Sequence, residues 1–463
     1  METSIQQIAE KFLLNMQNIT YIISSESIDS YSDKALDECK ACARRLAEEY
    51  VKLLNKNLRE SKAFRKKNGL LLQERSRKRE IYTKIGLIDV SRDYYKLKDG
   101  TGYEYPLDSV IGIASRERIS DGLGAELVSN ATEESFAKSV SKAGAGDISR
   151  QTVRNKILKA PTLEVEPGDR RENVRELHVF ADEDHAHLQK PNKAKGKCNQ
   201  QVPIVTVTEG IDESKARHRT IEAVNFVDEE FSGKRLWGDV DAYINARYAP
   251  ERLEKIYLHA DGGSWIKNGL ENYPNVIHVM DEFHIEKTLK TLGHIDAKET
   301  YRLRLAIKGS DINKAKASLN EMMLEYDPGD KEYKSIARSA KYILGNWDAI
   351  VRRKTLDIPG SCTESIVSHK LAKRFSRNPQ GWSKEMLGKL AKLRIYKENG
   401  GEITAKTYRN TAKESKEKTE LKKILAGKDK ATDFSLFEKE KPIFDWQNGI
   451  QVAIRKLGEM RSI

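Results

Sequence analysis

The sequence predicts a multidomain α/β protein, and three observations lead to that prediction. The chain has 463 residues, which is enough for several domains with their own hydrophobic cores. Helical periodicity dominates both ends of the chain, whereas short apolar runs alternate with helical segments between residues 177 and 281. No run of 18 or more apolar residues occurs, so we expect no membrane span.

Positive charge is concentrated in two stretches of the chain. The formal net charge is +12, from 82 Lys and Arg against 70 Asp and Glu. Residues 51–80 hold eleven basic and three acidic residues, and residues 351–400 hold twelve and four. Two basic segments on a near-neutral chain indicate a polyanionic partner, most simply nucleic acid. Lysine-rich helices that only keep the protein in solution are the alternative.

The cysteines predict neither a zinc site nor disulfides. Cys39 and Cys42 form a CxxC inside a helical run, where residues three apart share one face, and no second pair follows at zinc-finger spacing. The N-terminus lacks the features of a signal peptide. We therefore expect a protein of the reducing cytoplasm that makes no membrane contact.

The first 160 residues predict three regions. Residues 1–75 have helical periodicity, and residues 76–115 alternate as the strands of a small β-ribbon do. The Lys, Arg and Tyr residues of the ribbon suit contact with a DNA backbone, although a ribbon that pairs with another domain is equally possible. Residues 116–160 return to helix.

A helix-turn-helix is predicted within residues 116–160. Residues 135–143 form its first helix, a glycine-containing turn follows, and residues 151–158 form the second, with Val153 and Ile157 directed inward. The outer face of the second helix then carries donors that suit base edges and phosphates in a major groove. These residues are Arg150, Gln151, Thr152, Arg154, Asn155 and Lys156. A helix hairpin in an ordinary bundle is the alternative.

A polar linker at residues 161–173 predicts a domain boundary, and the next domain opens with a strand that runs into Asp182. Two further strands and a helix at about residues 233–248 come next. A strand that ends at Asp261, a helix, and a strand that ends at Asp281 complete the order βββαβαβ. This is the order of a ribonuclease-H-like fold, in which the first and fourth strands are neighbours. We assign residues 174–281 to the first part of a catalytic domain.

The remaining chain is predicted to be helical. Residues 282–358 indicate an all-α insertion, residues 359–400 the second part of the catalytic domain, and residues 401–463 a helical C-terminal region. A helix begins at Ser361 or Thr363, and Glu364 lies three residues before the apolar Val367. We therefore expect the carboxylate of Glu364 on the buried side of this helix. A capping box formed by Ser361 and Glu364 is the alternative.

Three carboxylates are expected to converge at the end of the sheet: Asp182, Asp261 and Glu364. Their oxygen atoms suit Mg²⁺ or Mn²⁺, and two such ions would activate the attacking oxygen and stabilise the leaving oxygen in a displacement at phosphorus. Asp184 or Asp281 could replace one of these ligands, and Asp261 could simply satisfy the turn at Gly262. His284 could support the sheet end through a hydrogen bond.

At these residues the sequence resembles the DDE transposases of bacterial insertion sequences. The match is closest to the Lre-type insertion-sequence family, which has an uncharacterised-protein-family label and is akin to Mutator-like transposases. The resemblance covers most of the chain and lies in four stretches, at residues 178–189, 256–270, 276–289 and 362–383. It implies that Asp182, Asp261 and Glu364 form the acidic triad. The pair Asp281 and His284 matches a Mutator-like motif in which many relatives have Cys in place of Asp281.

The resemblance and the residues together predict a DNA transposase. The helix-turn-helix would bind terminal inverted repeats, and the triad would hold two Mg²⁺ (or Mn²⁺) ions for strand cleavage and strand transfer to target DNA. Phosphates near the cut would be bound by Lys370, Lys373, Arg374 and Arg377. A homodimer or larger assembly is expected from the resemblance alone. The alternatives are a structure-selective nuclease and a non-catalytic DNA-binding regulator on the same fold.

Overall fold

The computed structural model describes most of the chain, in two compact units. One unit lies within residues 1–123 and the other comprises Gly124–Tyr408. The described residues are 2–22, 27–189, 198–212, 214, 219–267, 269–356, 358, 360–378 and 380–408. Most of the helical C-terminal region predicted at residues 401–463 therefore lies outside the described residues.

The first unit packs helices against an antiparallel ribbon. Its helices are α1 (Glu2–Ile22), α2 (Ile28–Glu60), α3 (Lys62–Lys67) and α4 (Pro106–Ile111), and its strands are β1 (Leu70–Thr83), β2 (Gly86–Leu97) and β3 (Tyr103–Glu104). Leu54 and Leu58 of α2 form a core with Ile81, Val90 and Tyr95 of the ribbon. The ribbon therefore starts before residue 76, because apolar residues at its beginning also pack on α2. Cys39 and Cys42 lie within α2, and all four cysteines are free.

The predicted helix-turn-helix is present. It follows α5 (Asp121–Ala131) and consists of α6 (Phe136–Lys142) and α7 (Arg150–Lys159). Ser149 caps α7 by accepting a hydrogen bond from the Thr152 amide at 3.2 Å. The inward positions expected from the spacing, Val153 and Ile157, are fully buried.

A five-stranded mixed sheet lies at the centre of the second unit. Its strands are β4 (Glu176–His187), β5 (Asn199–Thr208), β8 (Val224–Phe226), β9 (Lys255–Ala260) and β10 (Val276–Met280), and the short strands β6 (Gly210–Asp212) and β7 (Arg219–Ile221) pair separately. The spatial order is β10-β9-β4-β5-β8, with β4, β9 and β10 parallel to one another and β5 antiparallel to both its neighbours. The expected adjacency of the first and fourth strands, β4 and β9, is thus observed.

Helix α8 (Gly233–Arg247) covers one face of this sheet. Alternate residues of β4, β5 and β9 turn toward it, which is the two-residue period of a strand. Leu177, Val179 and Ala181 of β4 meet Leu236 and Val240 of α8 in this core. The other face of β4 therefore carries residues 178, 180 and 182, which places Asp182 on the side opposite α8. After β9 only one helical turn forms, α9 (Ser264–Lys267), instead of the longer helix predicted there.

The segment after β10 is helical, as the sequence predicts. It consists of α10 (Glu282–Gly293), α11 (Ala297–Lys308), α12 (Ile312–Leu324), α13 (Lys331–Gly345) and α14 (Trp347–Thr355). These helices share one core that includes Leu289, Leu303, Leu319 and Ile343.

The chain then returns to the sheet through a helix with an irregular centre. This helix consists of α15 (Thr363–Ile366), a π-helical turn (Val367–Ala372) and α16 (Lys373–Phe375), and α17 (Lys384–Glu398) and α18 (Ala405–Tyr408) follow. Both α15 and the π-helical turn pack against β4. We call the combined segment Thr363–Phe375 the Glu364 helix.

Candidate active site

Strand register brings three aspartates side by side at one edge of the sheet. Ala181 of β4 pairs with Ala260 of β9, and Ala260 pairs with Met280 of β10. The next residue on each chain segment is an aspartate: Asp182, Asp261 and Asp281. Because parallel neighbours lie about 4.8 Å apart, these three residues form a row across three strands.

One detail differs from the sequence prediction. Asp182 was expected to end its strand, but β4 continues to His187 because its outer part pairs with β5 over its whole length. What ends at Ala181 is the parallel pairing with β9. Asp182 therefore lies on a strand with one partner, at the point where the sheet edge opens.

Asp182 is buried, with only 6% of its surface exposed. Its Oδ1 accepts a hydrogen bond from the Glu183 amide at 2.8 Å. Burial raises the pKa of Asp182 to about 7, and the negative charge of Asp261 adds to the increase, while the Glu183 amide and His284 oppose it. A buried carboxylate with such a pKa gains from a nearby cation.

Asp261 is held by the turn that follows it. Its Oδ1 accepts a hydrogen bond from the Gly263 amide at 2.9 Å. Gly262 has a φ of +85°, and a Cβ atom there would lie 2.9 Å from Oδ1 of Asn346. The positive φ therefore favours glycine here, and a larger residue would also make the Asn346 side chain shift. Asp261 does bond the turn, as the turn alternative expects. This bond uses only one carboxylate oxygen, so the second oxygen is available to a metal ion.

Asp281 and His284 form a bonded pair at the start of α10. Asp281 caps that helix, accepting from the Phe283 amide at 3.3 Å, and its Oδ2 lies 3.1 Å from Nδ1 of His284. Burial would raise the pKa of Asp281, but hydrogen bonds from His284, Ser361 and Phe283 hold it below its usual value.

His284 is the basic group beside the row of aspartates. The hydrogen bond to Asp281 raises the pKa of His284 against the effect of burial, and the charges of Asp182 and Asp261 raise it further. All three aspartates thus act on one imidazole. The hydrogen bond expected from His284 is present, and Asp281 is its partner.

Glu183 ties the turn after β9 to β4. Its Oε2 accepts a hydrogen bond from Nε1 of Trp265 at 2.7 Å, and its Oε1 accepts from Nε2 of Gln201 at 3.1 Å. The bond between Glu183 and Trp265 links the segments that carry Asp182 and Asp261 and fixes the spacing between them. The sequence analysis assigned no role to Trp265, and only its position next to the turn could have indicated one.

Glu364 does not lie where the sequence predicts. Its side chain is exposed, whereas Thr363 and Ile366 are the buried residues of that turn. The helix begins one residue later than the capping-box alternative requires, with Cys362 at the cap position and no side-chain cap bond within the described residues. The apolar face of this helix is therefore rotated away from Glu364.

Two contacts nevertheless anchor the Glu364 helix at the row of aspartates. Ser361, three residues before Glu364, lies close enough to Asp281 to help lower the pKa of that carboxyl. Further along, the Ser376 hydroxyl donates to Oδ1 of Asp184 at 2.8 Å. Burial raises the pKa of Asp184. Its bond to Ser376 indicates that Asp184 mainly holds the end of the Glu364 helix against β4.

The predicted metal ligands fit an ion only in part. Asp182 and Asp261 are hard oxygen donors on neighbouring strands, and the pKa of Asp182 is raised mainly by burial, so a cation beside it would favour its ionised form. However, no group of three His, Cys, Asp or Glu residues among the described residues is close enough to hold a metal ion. The predicted triad is therefore not assembled with Glu364 in this structure.

Tyr342 of α13, in the helical insertion, lies near this site as well. Its hydroxyl is buried and has no hydrogen-bond partner within the described part of the chain. Burial raises its pKa, and the charges of Asp261, Asp281 and Asp182 raise it further. One turn later, Asn346 donates to the Tyr342 carbonyl at 2.8 Å and lies against Gly262. No sequence signal separates Tyr342 from its neighbours at core spacing.

The four cations predicted to bind phosphates near the cut differ in their surroundings: two are exposed, one forms an ion pair and one is buried. Lys373 and Arg377 are exposed, and Arg377 donates to the Ser368 hydroxyl. Lys370 forms an ion pair with Glu398 at 2.6 Å. Arg374 is buried, donates to the Ala131 carbonyl at 3.1 Å and lies over the Trp382 ring at 4.8 Å. The prediction is therefore wrong for Arg374, because the helix turns this side chain into the protein.

Most of the α7 residues that are predicted to read DNA lie at least partly at the surface. Arg150, Gln151 and Asn155 are exposed, and Thr152 and Arg154 are partly exposed. Lys156 is buried, because it lies on the same side of α7 as Val153 and Ile157. The expectation that Lys156 points outward is wrong.

Comparison with known proteins gives a family but no established activity. The model of the uncharacterised protein family UPF0236 matches residues 26–414. A UPF0236 protein of Caldanaerobacter subterraneus subsp. tengcongensis is 32% identical over 423 residues, covering 88% of this chain and 86% of its own, and its name joins eleven locus designations. Another, whose name joins four, is 32% identical over 430 residues and covers 89% and 88%.

A solved structure, the Drosophila P element transposase strand transfer complex, aligns with 62% of this chain and 82% of its own length. The sequence identity is 10% and the TM-score is 0.20. Separately, none of the described helices is long and apolar enough to cross a membrane.

Proposed function

The chain belongs to the uncharacterised protein family UPF0236, and we propose that it is a DDE-type DNA transposase with a ribonuclease-H-like catalytic domain. The observation that carries this proposal is the row of Asp182, Asp261 and Asp281, which strand register aligns at one sheet edge. Strand order and direction support the fold assignment, since the first strand lies between its antiparallel partner and the parallel fourth strand.

In this proposal Asp182 and Asp261 bind Mg²⁺ or Mn²⁺. Glu364 is the third ligand and reaches the row when DNA is bound; in support, Ser361 at the start of its helix lies near enough to Asp281 to affect the pKa of that carboxyl. When bound, the ions would lower the pKa of the attacking water and stabilise the leaving oxygen. Asp281 keeps His284 in place, and the charge of His284 limits repulsion within the row.

The reaction proceeds in two displacements at phosphorus. In the first, water attacks, the bond from phosphorus to the 3′ oxygen breaks, and a 3′-OH and a 5′-phosphate result. In the second, that 3′-OH attacks a target phosphate and displaces another 3′ oxygen. The exposed Lys373 and Arg377 lie on the Glu364 helix, where they would contact backbone phosphates, and α7 would bind the terminal repeats.

The relatives add independent support for a mobile element. One relative's name joins eleven locus designations of a single organism. A sequence carried at many loci of one genome is expected of a gene that copies or moves itself.

The test is metal-dependent cleavage and joining of DNA that carries the ends of the element. The wild-type protein should cut in Mg²⁺ or Mn²⁺, and Asp261→Ala should reduce cleavage at least about 1,000-fold. Exposed Asp348→Ala on α14 is the matched control and should cut normally. Equal cleavage by Asp261→Ala would refute the assignment, and cleavage without joined products would identify a nuclease instead.

A further inference from the structure

A groove runs between α10 and α11 in the helical insertion. It encloses about 750 Å³, the size of a site for a nucleotide or another drug-sized molecule. Phe283, Lys287 and Lys290 of α10 line one wall, and Tyr301 and Arg304 of α11 line the other. These residues recur every three or four positions, so each set lies on one helix face.

Two aromatic rings of the groove are exposed instead of packed in a core. Phe283 is 45% exposed and Tyr301 is 62% exposed. The core of the insertion lies below them, where Leu289 and Leu303 are buried. Exposed aromatic rings that share one concave surface indicate a binding site for another flat, partly apolar group.

The rim of the groove is positively charged. Lys287 and Lys290 are exposed, while Arg304 pairs with Glu286 at 2.6 Å. Cations interleaved with exposed rings suit a single nucleic acid strand, because the cations contact phosphates and the rings stack on bases. A duplex fits poorly, since its base faces are already stacked on one another.

The groove begins at the row of aspartates. The Phe283 amide donates to Oδ1 of Asp281 at 3.3 Å, and His284 follows directly. We infer that the groove between α10 and α11 binds an unpaired segment of the DNA strand next to the cut. The inference rests on the proposed function, in which the cut 3′ end has to stay bound until it is joined to the target.

The experiment measures binding without metal, so it does not depend on cleavage. A fluorescein-labelled single strand of about 12 nucleotides and its duplex form are titrated with the full-length protein, and fluorescence anisotropy is recorded. Phe283→Ala and Tyr301→Ala should each weaken single-strand binding about tenfold. Tyr301→Phe, which keeps the ring, should retain the affinity. Leu324→Ala changes an apolar residue of the insertion that is 80% exposed but outside the groove, and should bind normally.

A second measurement locates the strand directly. A single strand that carries 5-iodouracil is irradiated with the wild-type protein, and the crosslinked peptides are identified by mass spectrometry. Peptides that contain Phe283 or Tyr301 are expected. Three results would overturn the inference. They are an unchanged single-strand affinity in both alanine variants, a loss of duplex affinity as large as the loss of single-strand affinity, and crosslinks only outside α10 and α11. If the protein does not bind the single strand through this groove but cleavage still depends on Asp261, only the assignment of the groove is refuted.

Discussion

The row of aspartates and the Glu364 helix are both parts of the candidate active site, but they were specified in different ways. In the row, backbone pairing alone puts Asp182, Asp261 and Asp281 next to one another. On the helix, side-chain direction depends on rotation about the helix axis, and this rotation exposes Glu364 and buries Arg374. Register is a property of the backbone, whereas helix rotation is decided by whatever packs beside it.

The two regions also differ in how their charge is used. The aspartates repel one another, and the hydrogen bond to Asp281 together with the charges of the row raises the pKa of His284, the basic group beside them. The basic stretch 351–400, by contrast, uses many of its cations in ion pairs with acids far away in sequence. Lys389 pairs with Glu229, Lys392 with Asp239 and Arg394 with Glu133, while Lys370 pairs with Glu398 inside the stretch itself. A charge excess in sequence is therefore a weak guide to a DNA-binding surface.

Arg394 explains part of this difference. It is buried and donates to Glu133 at 2.6 Å and to the Thr132 carbonyl at 3.1 Å. It also donates to the carbonyls of His369 and Lys370, inside the π-helical turn. This guanidinium therefore supports the irregular part of the Glu364 helix. Such π-helical turns are rare and frequently lie at functional sites.

The largest effect is expected from Glu364→Gln, which tests whether the two regions act together. If the exposed carboxylate completes the metal site on DNA, the variant should cleave at least about 1,000-fold more slowly. Single-turnover cleavage with saturating Mn²⁺ measures this rate. Glu385→Gln, at an exposed glutamate of α17, is the matched control. If Glu364→Gln cleaves as fast as that control, the Glu364 helix contributes no ligand to the metal site.

Arg374→Ala tests whether the Glu364 helix uses its cations for structure. The variant should lose about 3 kcal/mol of unfolding free energy, because it leaves the buried Ala131 carbonyl without this donor and removes the packing over Trp382. Urea denaturation measures the loss. The exposed Arg377→Ala should stay within about 0.5 kcal/mol of wild type. Full stability together with weaker DNA binding in Arg374→Ala would restore its predicted role.

Asp182→Asn tests the strain in the row of aspartates through pH. In the unfolded chain this carboxyl ionises above about pH 4, but in the folded protein its pKa is about 7. Its protonated form therefore stabilises the native state at low pH, and this contribution is lost as the pH rises through 7. Asparagine does not ionise, so relative to wild type the variant should gain about 2 kcal/mol between pH 5 and pH 8. A stability difference that is the same at both pH values would contradict burial as the cause.

The smallest effect is expected from Tyr342→Phe. Removal of a buried hydroxyl without a partner should raise the unfolding free energy by about 1 kcal/mol. Tyr333→Phe, at a partly buried tyrosine of the same helix, should be neutral. Thermal unfolding separates the two variants. A less stable Tyr342→Phe protein would mean that the hydroxyl does have a partner, whereas higher stability with slower cleavage would place this hydroxyl in contact with DNA.

Local sequence patterns predict the elements and the aspartates that belong to the row. Short apolar runs predicted β4, β5, β9 and β10, and the acidic residues that follow three of these runs marked Asp182, Asp261 and Asp281. Helical periodicity predicted the insertion and the helix-turn-helix. These signals are local, since they depend on which residues follow one another along a strand or a helix.

Which side chains face the site depends on how the elements pack against one another. The orientation of Glu364, Arg374 and Lys156 depends on the neighbours that each helix packs against, and several positions on one helix fit an apolar stripe equally well. Tyr342 reaches the row of aspartates because α13 packs beside the sheet end, a contact between segments about 60 to 160 residues apart in the chain. No local pattern encodes such a contact, because its free energy arises from burial and charge that only the folded chain brings together.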